Sequence, residues 1–301
     1  MITLLDGGLG QELVARSGDA PTPLWSTQVM MDHPGLTRGL HADYFAAGAS
    51  LATTNTYALH HDRLIRAGCD ARFGDLYAQA LAEAAAARAG HGRGLIAGSM
   101  GPLIASYRPE TLPPHAEAVA RYAEIAAILA PACDVLLAET VASLAHARAV
   151  IEGARDAARA HGRALWLSVT VGDEDGTRLR SGEPLADLAA LDLPDAVLVN
   201  CAPPEAIDAA IPILATLGRP FGAYANGFTR IAPAFLKDSP TVAVLSARQD
   251  LGPERYADFV MGWVERGATL VGGCCETTPA HIAEIARRLR AAGHPIREGA
   301  P

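Results

Sequence analysis

The sequence of 301 residues has little that would tie the protein to a membrane or to secretion. It contains no apolar run near the roughly 18 residues that a membrane-spanning helix requires. Its N-terminus, MITLLDGGLGQEL, lacks a basic segment, a central apolar segment and a cleavage site, so we expect no signal peptide. Together these absences predict a cytoplasmic protein.

Cysteine is scarce, and the five residues are Cys69, Cys133, Cys201, Cys274 and Cys275. An odd and widely spaced set does not form a disulfide scaffold in a chain of this length. We therefore expect a reducing compartment in which each thiol is free, buried or bound to a metal. Cys69 and Cys133 do not lie at the ends of the strands predicted below, and we expect both to be structural.

A basic surface is also absent. The net charge is -8 at pH 7, the isoelectric point is about 5.7, and no cluster of Lys or Arg alternates with aromatic residues. Proteins that bind nucleic acids or anionic membranes normally carry such a cluster. The sequence therefore argues against both partners and leaves small molecules as the expected substrates.

Short apolar runs alternate with alanine-rich stretches along the whole chain. The runs cover 2–6, 49–56, 94–99, 134–140, 164–171, 196–202, 221–226 and 268–275. They are too continuous for half-exposed strands and are typical of strands buried on both faces of a parallel sheet. Helical periodicity predicts helices over 35–48, 74–90, 114–130, 142–160, 203–217, 254–266 and from Thr278–Pro279 to Gly293, with only weak helical character over 184–192.

Eight strands that alternate with about eight helices predict a single-domain (β/α)8 TIM barrel over residues 1–301. A doubly wound open sheet is the alternative. It is disfavoured because the DGGLGQ segment after the first strand lacks the G-x-G-x-x-G spacing of dinucleotide-binding folds. The long strand-to-helix connections 7–34, 172–183 and 227–252 are then expected on the face of the barrel that carries function.

Three cysteines follow two of the predicted strands, because Cys201 ends the sixth and the Cys274–Cys275 pair ends the eighth. In a closed barrel these strand ends surround one opening, so three thiolates can converge there. Three sulfur ligands with one open position are typical of a catalytic zinc site. The helix that begins near Pro279 would direct its positive end towards the pair and favour thiolates.

The cysteine pair is also compatible with roles that involve no metal. Adjacent cysteines are often two small buried hydrophobic residues. A redox dithiol is a further alternative, although neighbouring cysteines close a strained ring and C-x-x-C is the usual redox spacing. His60 and His61 follow the second strand but match no ligand spacing, so we do not expect them to bind a metal.

The chain resembles the homocysteine S-methyltransferase family over about residues 2–290. The motifs that carry the resemblance, in order, are LLDGGLGQEL, TTNTY, GSMGP, AET, VNCAPPE and GGCCETTPAHI. The Asn-Cys motif followed by Gly-Gly-Cys-Cys is the specific part. The resemblance implies a (β/α)8 barrel and methyl transfer to the sulfur of homocysteine, with no catalytic residue beyond a zinc site.

The same resemblance implies a set of zinc ligands. Cys201, Cys274 and Cys275 would bind Zn²⁺, and Asn226 would fill the fourth position before the substrate arrives. Asn226 lies in YANG, where the family often has a proline before the asparagine.

The resemblance also implies how the amino-acid part of homocysteine is bound. Asp6 and Glu139 would bind its ammonium group, and two carboxylates for one ammonium suit charge-assisted recognition. Backbone amides near Gly7, Gly8 and Thr54 would bind its carboxylate. From the residues alone, a turn-capping role for Asp6 and an ion pair for Glu139 are equally acceptable.

The favoured function is a stand-alone zinc-dependent homocysteine methyltransferase that uses a sulfonium donor, S-methylmethionine or S-adenosylmethionine. Trp25 in the first long loop is placed on the donor side because an aromatic face attracts an onium cation, although it could equally pack the loop onto the barrel. A betaine-type donor, a corrinoid-protein donor and a selenol acceptor are alternatives. A non-catalytic zinc or amino-acid-binding barrel and a thiol redox protein are the other classes considered.

Overall fold

The computed structural model describes residues 1–237 and 241–299, and its centre is one eight-stranded parallel sheet. The strands are β1 (Thr3–Leu4), β2 (Leu51–Thr53), β3 (Leu95–Met100), β4 (Val135–Val141), β5 (Ala164–Val169), β6 (Ala196–Asn200), β7 (Phe221–Ala225) and β8 (Leu270–Gly273). Each strand pairs with the next one along the chain from β2 to β8, and β8 pairs with β1. The predicted (β/α)8 TIM barrel is confirmed.

One backbone hydrogen bond and several side-chain hydrogen bonds join β1 and β2, where the sheet has no regular ladder. The backbone N–H of Ser50 donates to the Leu4 carbonyl at 2.7 Å, and the Leu4 N–H donates to the Ser50 Oγ at 2.9 Å. Further along, both carboxylate oxygens of Asp6 accept hydrogen bonds from Thr53. β1 and β2 are shorter than the apolar runs 2–6 and 49–56.

Helices surround the barrel. They are α1 (Leu9–Ser17), α2 (Ser26–Asp32), α3 (Leu36–Ala47), α4 (His61–Arg66), α5 (Phe73–His91), α6 (His115–Leu129), α7 (Leu144–Ala160), α8 (Pro204–Leu214), α9 (Pro253–Glu265) and α10 (Pro279–Ala291). The first long connection is therefore not irregular, since α1 and α2 lie within it. Among the described residues, no helix combines the length and the apolar character needed to cross a bilayer.

The weak helix predicted over 184–192 is only a 3₁₀ turn, Leu185–Ala190. Leu185 and Leu188 are its buried residues, and their i,i+3 spacing suits a helix with three residues per turn. The last helix is as predicted: Thr278 precedes α10, and its backbone N–H donates to the Nδ1 of His281 at 3.1 Å.

Alternation along the strands decides which side chains reach the barrel interior. One buried cluster contains Leu95 and Ala97 of β3, Val135 and Leu137 of β4, and Ala196 and Leu198 of β6. Intervening residues such as Ile96, Leu136 and Val197 belong to the larger cluster that packs against the helices. The period of two places the next inward positions, Ser99, Glu139 and Asn200, at the carboxyl end of the barrel interior.

Candidate functional site

Three cysteine sulfurs converge at the carboxyl end of the barrel. Cys201 follows β6, Cys274 and Cys275 follow β8, and their Sγ atoms all lie within 4.8 Å of one another. A tetrahedral metal with metal–sulfur bonds of about 2.3 Å holds its sulfur ligands about 3.8 Å apart, close to the 4.0 Å between Cys274 and Cys275. The donor set therefore fits a thiophilic metal ion, and three ligands leave a position open.

Asn200 holds the backbone that presents Cys201. Its Oδ1 accepts hydrogen bonds from the Thr140 N–H at 2.9 Å and the Ser168 hydroxyl at 2.8 Å, and its Nδ2 donates to the Thr140 Oγ1 at 3.0 Å. Thr140 and Cys201 both adopt left-handed backbone conformations, with φ of 58° and 53°. Such conformations cost free energy in residues with a side chain. The hydrogen bonds of the buried Asn200 offset this cost and hold the strained backbone next to the sulfur cluster.

Glycines set the position of the Cys274–Cys275 pair. A Cβ atom at Gly273 would lie 2.1 Å from the Oγ1 of Thr277, and one at Gly8 would lie 2.6 Å from the Cys274 carbonyl oxygen. The Thr277 hydroxyl donates to that same carbonyl at 2.6 Å. The loop after β1 and the loop after β8 are thus packed backbone against backbone, which no larger residue would allow.

The three thiols share their protons unequally. Hydrogen bonds from Cys274 and Cys275 hold the pKa of Cys201 well below its ordinary value. The pKa values of Cys274 and Cys275 are raised, first of all by their hydrogen bonds to Cys201. The cluster therefore favours a single negative charge when only protons are bound, and a cation is needed to stabilise three thiolates together.

Two buried carboxyl groups lie in the same cavity as the cysteines. Burial raises the pKa of Asp6 to about 7, against the opposing effect of the Thr53 hydrogen bonds. Burial likewise raises the pKa of Glu139 to about 7, with a further contribution from the charge of Cys201. Two acids that ionise near neutrality and face one small cavity are suited to binding a cation.

Glu139 has defined partners on two strands. The Ser99 hydroxyl donates to its Oε1, and the Tyr224 hydroxyl donates to its Oε2 at 3.1 Å. Both partners are hydroxyl groups, which can donate to the carboxylate or turn aside for a ligand.

The cavity has a volume of about 100 Å³ and brings together most of the predicted site residues. Its lining includes Asp6, Gly7, Gly8, Trp25, Thr54, Glu139, Cys201, Cys274 and Cys275. Two of the amides expected to bind a carboxylate already have partners, however. The Gly8 N–H donates to the Thr277 carbonyl at 2.9 Å, and the Thr54 N–H donates to the Ala97 carbonyl at 2.9 Å.

Asn226 lies in the turn after β7, but its amide oxygen is already used. Its Oδ1 accepts a hydrogen bond from the Phe228 N–H at 3.2 Å. Its Nδ2 is buried and has no hydrogen-bond partner among the described residues. The next residue, Gly227, donates its N–H to the Cys275 carbonyl at 2.8 Å, so this turn is bonded directly to the cysteine loop.

Trp25 contacts two other aromatic rings, and it lines the cavity. Its ring stacks on Tyr57 with centroids 6.4 Å apart and on Phe235 with centroids 5.8 Å apart. Its backbone is left-handed, with φ of 51°, and its indole N–H is buried without a partner among the described residues. Trp25 also lines a second cavity on the outer side, which makes it the wall that the two cavities share.

The remaining cysteines and the two histidines lie elsewhere. Cys133 is buried, and burial raises its pKa to about 12, while Cys69 is half-buried against the core. His61 stacks on Phe73 and is 2.6 Å from Asp70 through its Nδ1, and His60 is buried. In the part of the chain that the structure describes, the cysteine trio is the one group with metal-ligand spacing.

Several site residues were not anticipated from the sequence. Tyr224 and Thr53 lie within predicted strands, and their position beside Glu139 and Asp6 depends on strand register. Tyr57 follows the second strand, but its role in the wall of the site depends on Trp25, which is distant along the chain. Tyr107, which lines the cavity with φ of 62°, lies in a loop without any sequence signal.

Comparisons with known proteins agree with this geometry. A family model described as homocysteine S-methyltransferase matches residues 3–289. The chain is 31% identical over 313 residues to the homocysteine S-methyltransferase of Escherichia coli (strain K12), with 95% of each protein covered. It is 28% identical over 312 residues to the homocysteine S-methyltransferase YbgG of Bacillus subtilis (strain 168), with 96% of this chain and 95% of that protein covered.

A solved structure is also similar over nearly the full length. It is the metallated form of the homocysteine methyltransferase MmuM from Escherichia coli, with a TM-score of 0.78 and 30% identity. The alignment covers 95% of this chain and 96% of that one.

Proposed function

The chain belongs to the homocysteine S-methyltransferase family, and we propose that it is a zinc-dependent enzyme that takes the methyl group from a sulfonium donor. The donor would be S-methylmethionine or S-adenosylmethionine, and the product is methionine. The observation that carries this proposal is one cavity that holds three clustered cysteine sulfurs together with two buried carboxyl groups. Homocysteine carries a thiol, which suits a metal held by the cysteines, and an ammonium group, which suits the two carboxyl groups.

In this proposal the ammonium group of homocysteine lies between Asp6 and Glu139. An ammonium offers three donors, and the two carboxylates offer acceptors in a buried setting where charge-assisted hydrogen bonds are strong. A bound cation also lowers the pKa of both acids from about 7, so each carboxylate stays ionised in the complex. Gly7 lines the same cavity beside Asp6, and the carboxylate of the amino acid would lie against it.

The metal in this proposal is held by Cys201, Cys274 and Cys275. The chemistry that a bound zinc ion supplies is Lewis acidity, which keeps a thiol deprotonated at neutral pH while three cysteinates keep the centre electron-rich. Asn226 would bind the metal only in the absence of homocysteine, at the fourth ligand position. It would first have to release the Phe228 N–H from its amide oxygen.

The reaction is a displacement at carbon. The homocysteine sulfur forms a bond to the methyl carbon, the bond between that carbon and the donor sulfonium breaks, and its electron pair stays on the donor sulfur. The thiol proton leaves to solvent. The chain contributes by positioning, because an in-line displacement depends on holding the two sulfurs on opposite sides of the methyl carbon. Trp25 would face the donor cation with its aromatic surface.

The test is methionine formation by reduced, zinc-loaded protein from homocysteine and S-methylmethionine. S-Adenosylmethionine and betaine are supplied in parallel assays. Turnover with either sulfonium supports the proposal and identifies the donor. Turnover with betaine alone would show that the donor is a quaternary ammonium compound and not a sulfonium. No turnover with any of the three would overturn the sulfonium assignment, and a methylated corrinoid protein would then be the donor to test.

A further inference from the structure

The hydroxyl group of Tyr256 lies between the carboxyl ends of β7 and β8. Tyr256 belongs to α9, and its side chain is completely buried. Its Oη accepts a hydrogen bond from the Ala225 N–H at 2.9 Å and lies 2.8 Å from the Gly272 carbonyl oxygen, to which it can donate its proton. The Ala225 carbonyl oxygen, 3.1 Å away, is a second acceptor. One side chain from the helix layer therefore joins the two strands by hydrogen bonds.

The end of β7 is bonded to the backbone of two of the clustered cysteines. On one side the Cys201 N–H donates to the Tyr224 carbonyl at 3.3 Å, and on the other side the Cys274 N–H donates to the Ala225 carbonyl at 2.9 Å. Tyr224 and Ala225 are the last two residues of β7. A shift of this dipeptide relative to β8 would therefore change the distance between the sulfurs of Cys201 and Cys274.

The packing of the Tyr256 ring fixes the position of its hydroxyl. The ring meets Trp263 and His281 at interplanar angles of 84° and 88°, with centroids 6.4 Å and 5.7 Å apart. Burial raises the pKa of Tyr256 well above its ordinary value, so the hydroxyl keeps its proton at neutral pH. It therefore acts as a donor and an acceptor at the same point between the strands.

A metal centre depends on the exact position of these strand ends. Metal–sulfur bonds of about 2.3 Å leave little freedom in the distance between two ligand sulfurs. Without the Tyr256 hydroxyl, the Ala225 N–H and the Gly272 carbonyl would lose a buried partner, which is costly. The strand ends would then move together or admit water, and Cys274 would move with them because its N–H is bonded to Ala225.

We propose that Tyr256 is a positioning residue for the metal centre. Its hydroxyl holds the end of β7 against β8, and through this segment it sets the position of Cys274 relative to Cys201. It acts through the backbone and not on the reacting atoms. This inference rests on the proposed function, because it concerns the same three sulfur ligands, and it adds a residue of the helix layer to the site.

The test compares wild-type protein with Tyr256→Phe after loading with Co²⁺, whose visible absorption bands report the geometry of its ligands. We expect the bands of the variant to shift in wavelength or to lose intensity, because Cys274 is displaced. The affinity for Zn²⁺, measured by competition with a chelator, should fall about tenfold to a hundredfold, the range for the loss of a group that orients a metal ligand.

The matched control is Tyr77→Phe. Tyr77 is a buried tyrosine of α5 whose hydroxyl donates to the Leu59 carbonyl at 2.8 Å, so the control also removes one buried hydroxyl bond. It should lower the midpoint of chemical denaturation and keep the cobalt spectrum and zinc affinity of wild type. Wild-type spectrum and affinity in Tyr256→Phe would overturn the inference. Equal changes in both variants would also overturn it, since they would indicate general destabilisation.

Incorporation of 4-fluorophenylalanine at position 256 keeps the test decisive if Tyr256→Phe does not fold. The fluorine fills the space of the hydroxyl but cannot donate to the Gly272 carbonyl. We expect an altered cobalt spectrum and a loss of zinc affinity in this protein as well. Wild-type values of both would overturn the inference.

These measurements separate the role of Tyr256 from the proposed function, because none of them needs turnover. If zinc-loaded wild type forms no methionine with any of the three donors, the proposed function falls, and an altered cobalt spectrum in Tyr256→Phe still supports the positioning role. Wild-type protein that binds neither Zn²⁺ nor Co²⁺ would overturn the inference.

Discussion

Both carboxylate oxygens of Asp6 are bonded to Thr53. The Thr53 N–H donates to Oδ2 at 2.7 Å, and the Thr53 hydroxyl donates to Oδ1 at 2.8 Å. These bonds join the end of β1 to the end of β2, where the sheet has no ladder. The side chain proposed to bind the substrate ammonium therefore also closes the barrel.

Asp6→Asn is expected to lower both stability and affinity for homocysteine. An amide offers one acceptor oxygen where Thr53 presents two donors, so one buried donor loses its partner at a cost of about 1–3 kcal/mol. Chemical denaturation near pH 4, where the raised pKa of Asp6 keeps its carboxyl group protonated and removes the cost of a buried charge, should show this loss in the free energy of unfolding. The KM for homocysteine at pH 7.5 should rise. Asp43→Asn is the control, since Asp43 is an exposed partner of Arg16 and should change stability by less than about 1 kcal/mol. Wild-type stability and KM in Asp6→Asn would refute both roles.

Cys274→Ser is expected to abolish metal retention and methionine formation together. Removing one of three sulfur ligands leaves a donor set too weak for a thiophilic ion, because a serine hydroxyl stays protonated at neutral pH. Metal content of the purified protein and turnover are the two measurements. Cys69→Ser is the matched control and should retain both. Full activity in Cys274→Ser would remove the metal centre from the mechanism.

The pH dependence of ligand binding should reveal the raised pKa of Glu139. Only the ionised carboxylate attracts an ammonium, and its pKa of about 7 means that ionisation rises between pH 6 and 8. Methionine carries the same amino-acid group as homocysteine and has no thiol to titrate. We expect its affinity to increase over this range in wild type and to increase less in Glu139→Gln. Identical pH profiles of the two proteins would exclude Glu139 from ammonium binding.

The same raised pKa predicts how stability changes with pH. The unfolded state loses the Glu139 proton near pH 4.5, and the folded state keeps it to about pH 7. The folded state therefore binds more protons in that window, and this group lowers the free energy of unfolding as pH rises through it. In the metal-free proteins, the free energy of unfolding of Glu139→Gln should therefore increase relative to that of wild type by about 3 kcal/mol between pH 4.5 and 7.5.

The difference between the two proteins is the quantity to measure, because buried histidines act in the opposite direction. Burial lowers the pKa of His41 and His146 to about 4, so the unfolded state binds more protons at these residues between about pH 4 and 6.5. Their contribution is the same in both proteins and cancels. A difference in the free energy of unfolding between the two proteins that stays constant at all pH values would contradict the raised pKa of Glu139.

Gly8→Ala should disturb the cysteine loop, whereas Gly10→Ala should not. A Cβ at Gly8 would meet the Cys274 carbonyl oxygen at 2.6 Å, and a Cβ at Gly10 meets nothing within 4 Å. Because the Cys274 carbonyl oxygen is a backbone atom, and the added Cβ is fixed to the backbone of residue 8, the contact can be relieved only by moving a loop. We expect Gly8→Ala to lose about 1–3 kcal/mol of stability and to bind metal more weakly, as measured by denaturation and by competition with a chelator. Equal behaviour of the two variants would contradict the close packing.

Much of the site could be predicted because its residues stand at strand ends. The period of two along β3, β4 and β6 points Ser99, Glu139 and Asn200 inward once the strands are known. The amides expected to hold a carboxylate were less predictable. The N–H groups of Gly8 and Thr54 are bonded to Thr277 and to Ala97, and those partners are 269 and 43 residues away along the chain.

The sequence by itself determined the alternation of strands and helices, the barrel, and the convergence of Cys201 with Cys274 and Cys275. Local patterns suffice for these, since a parallel closed sheet brings all strand ends to one opening. Only the tertiary structure decided that Asp6 bonds Thr53, and that Trp25 contacts both Tyr57 and Phe235 and lines two cavities. Such contacts join segments that are distant in sequence, and their geometry depends on strand register and loop packing, which no local pattern specifies.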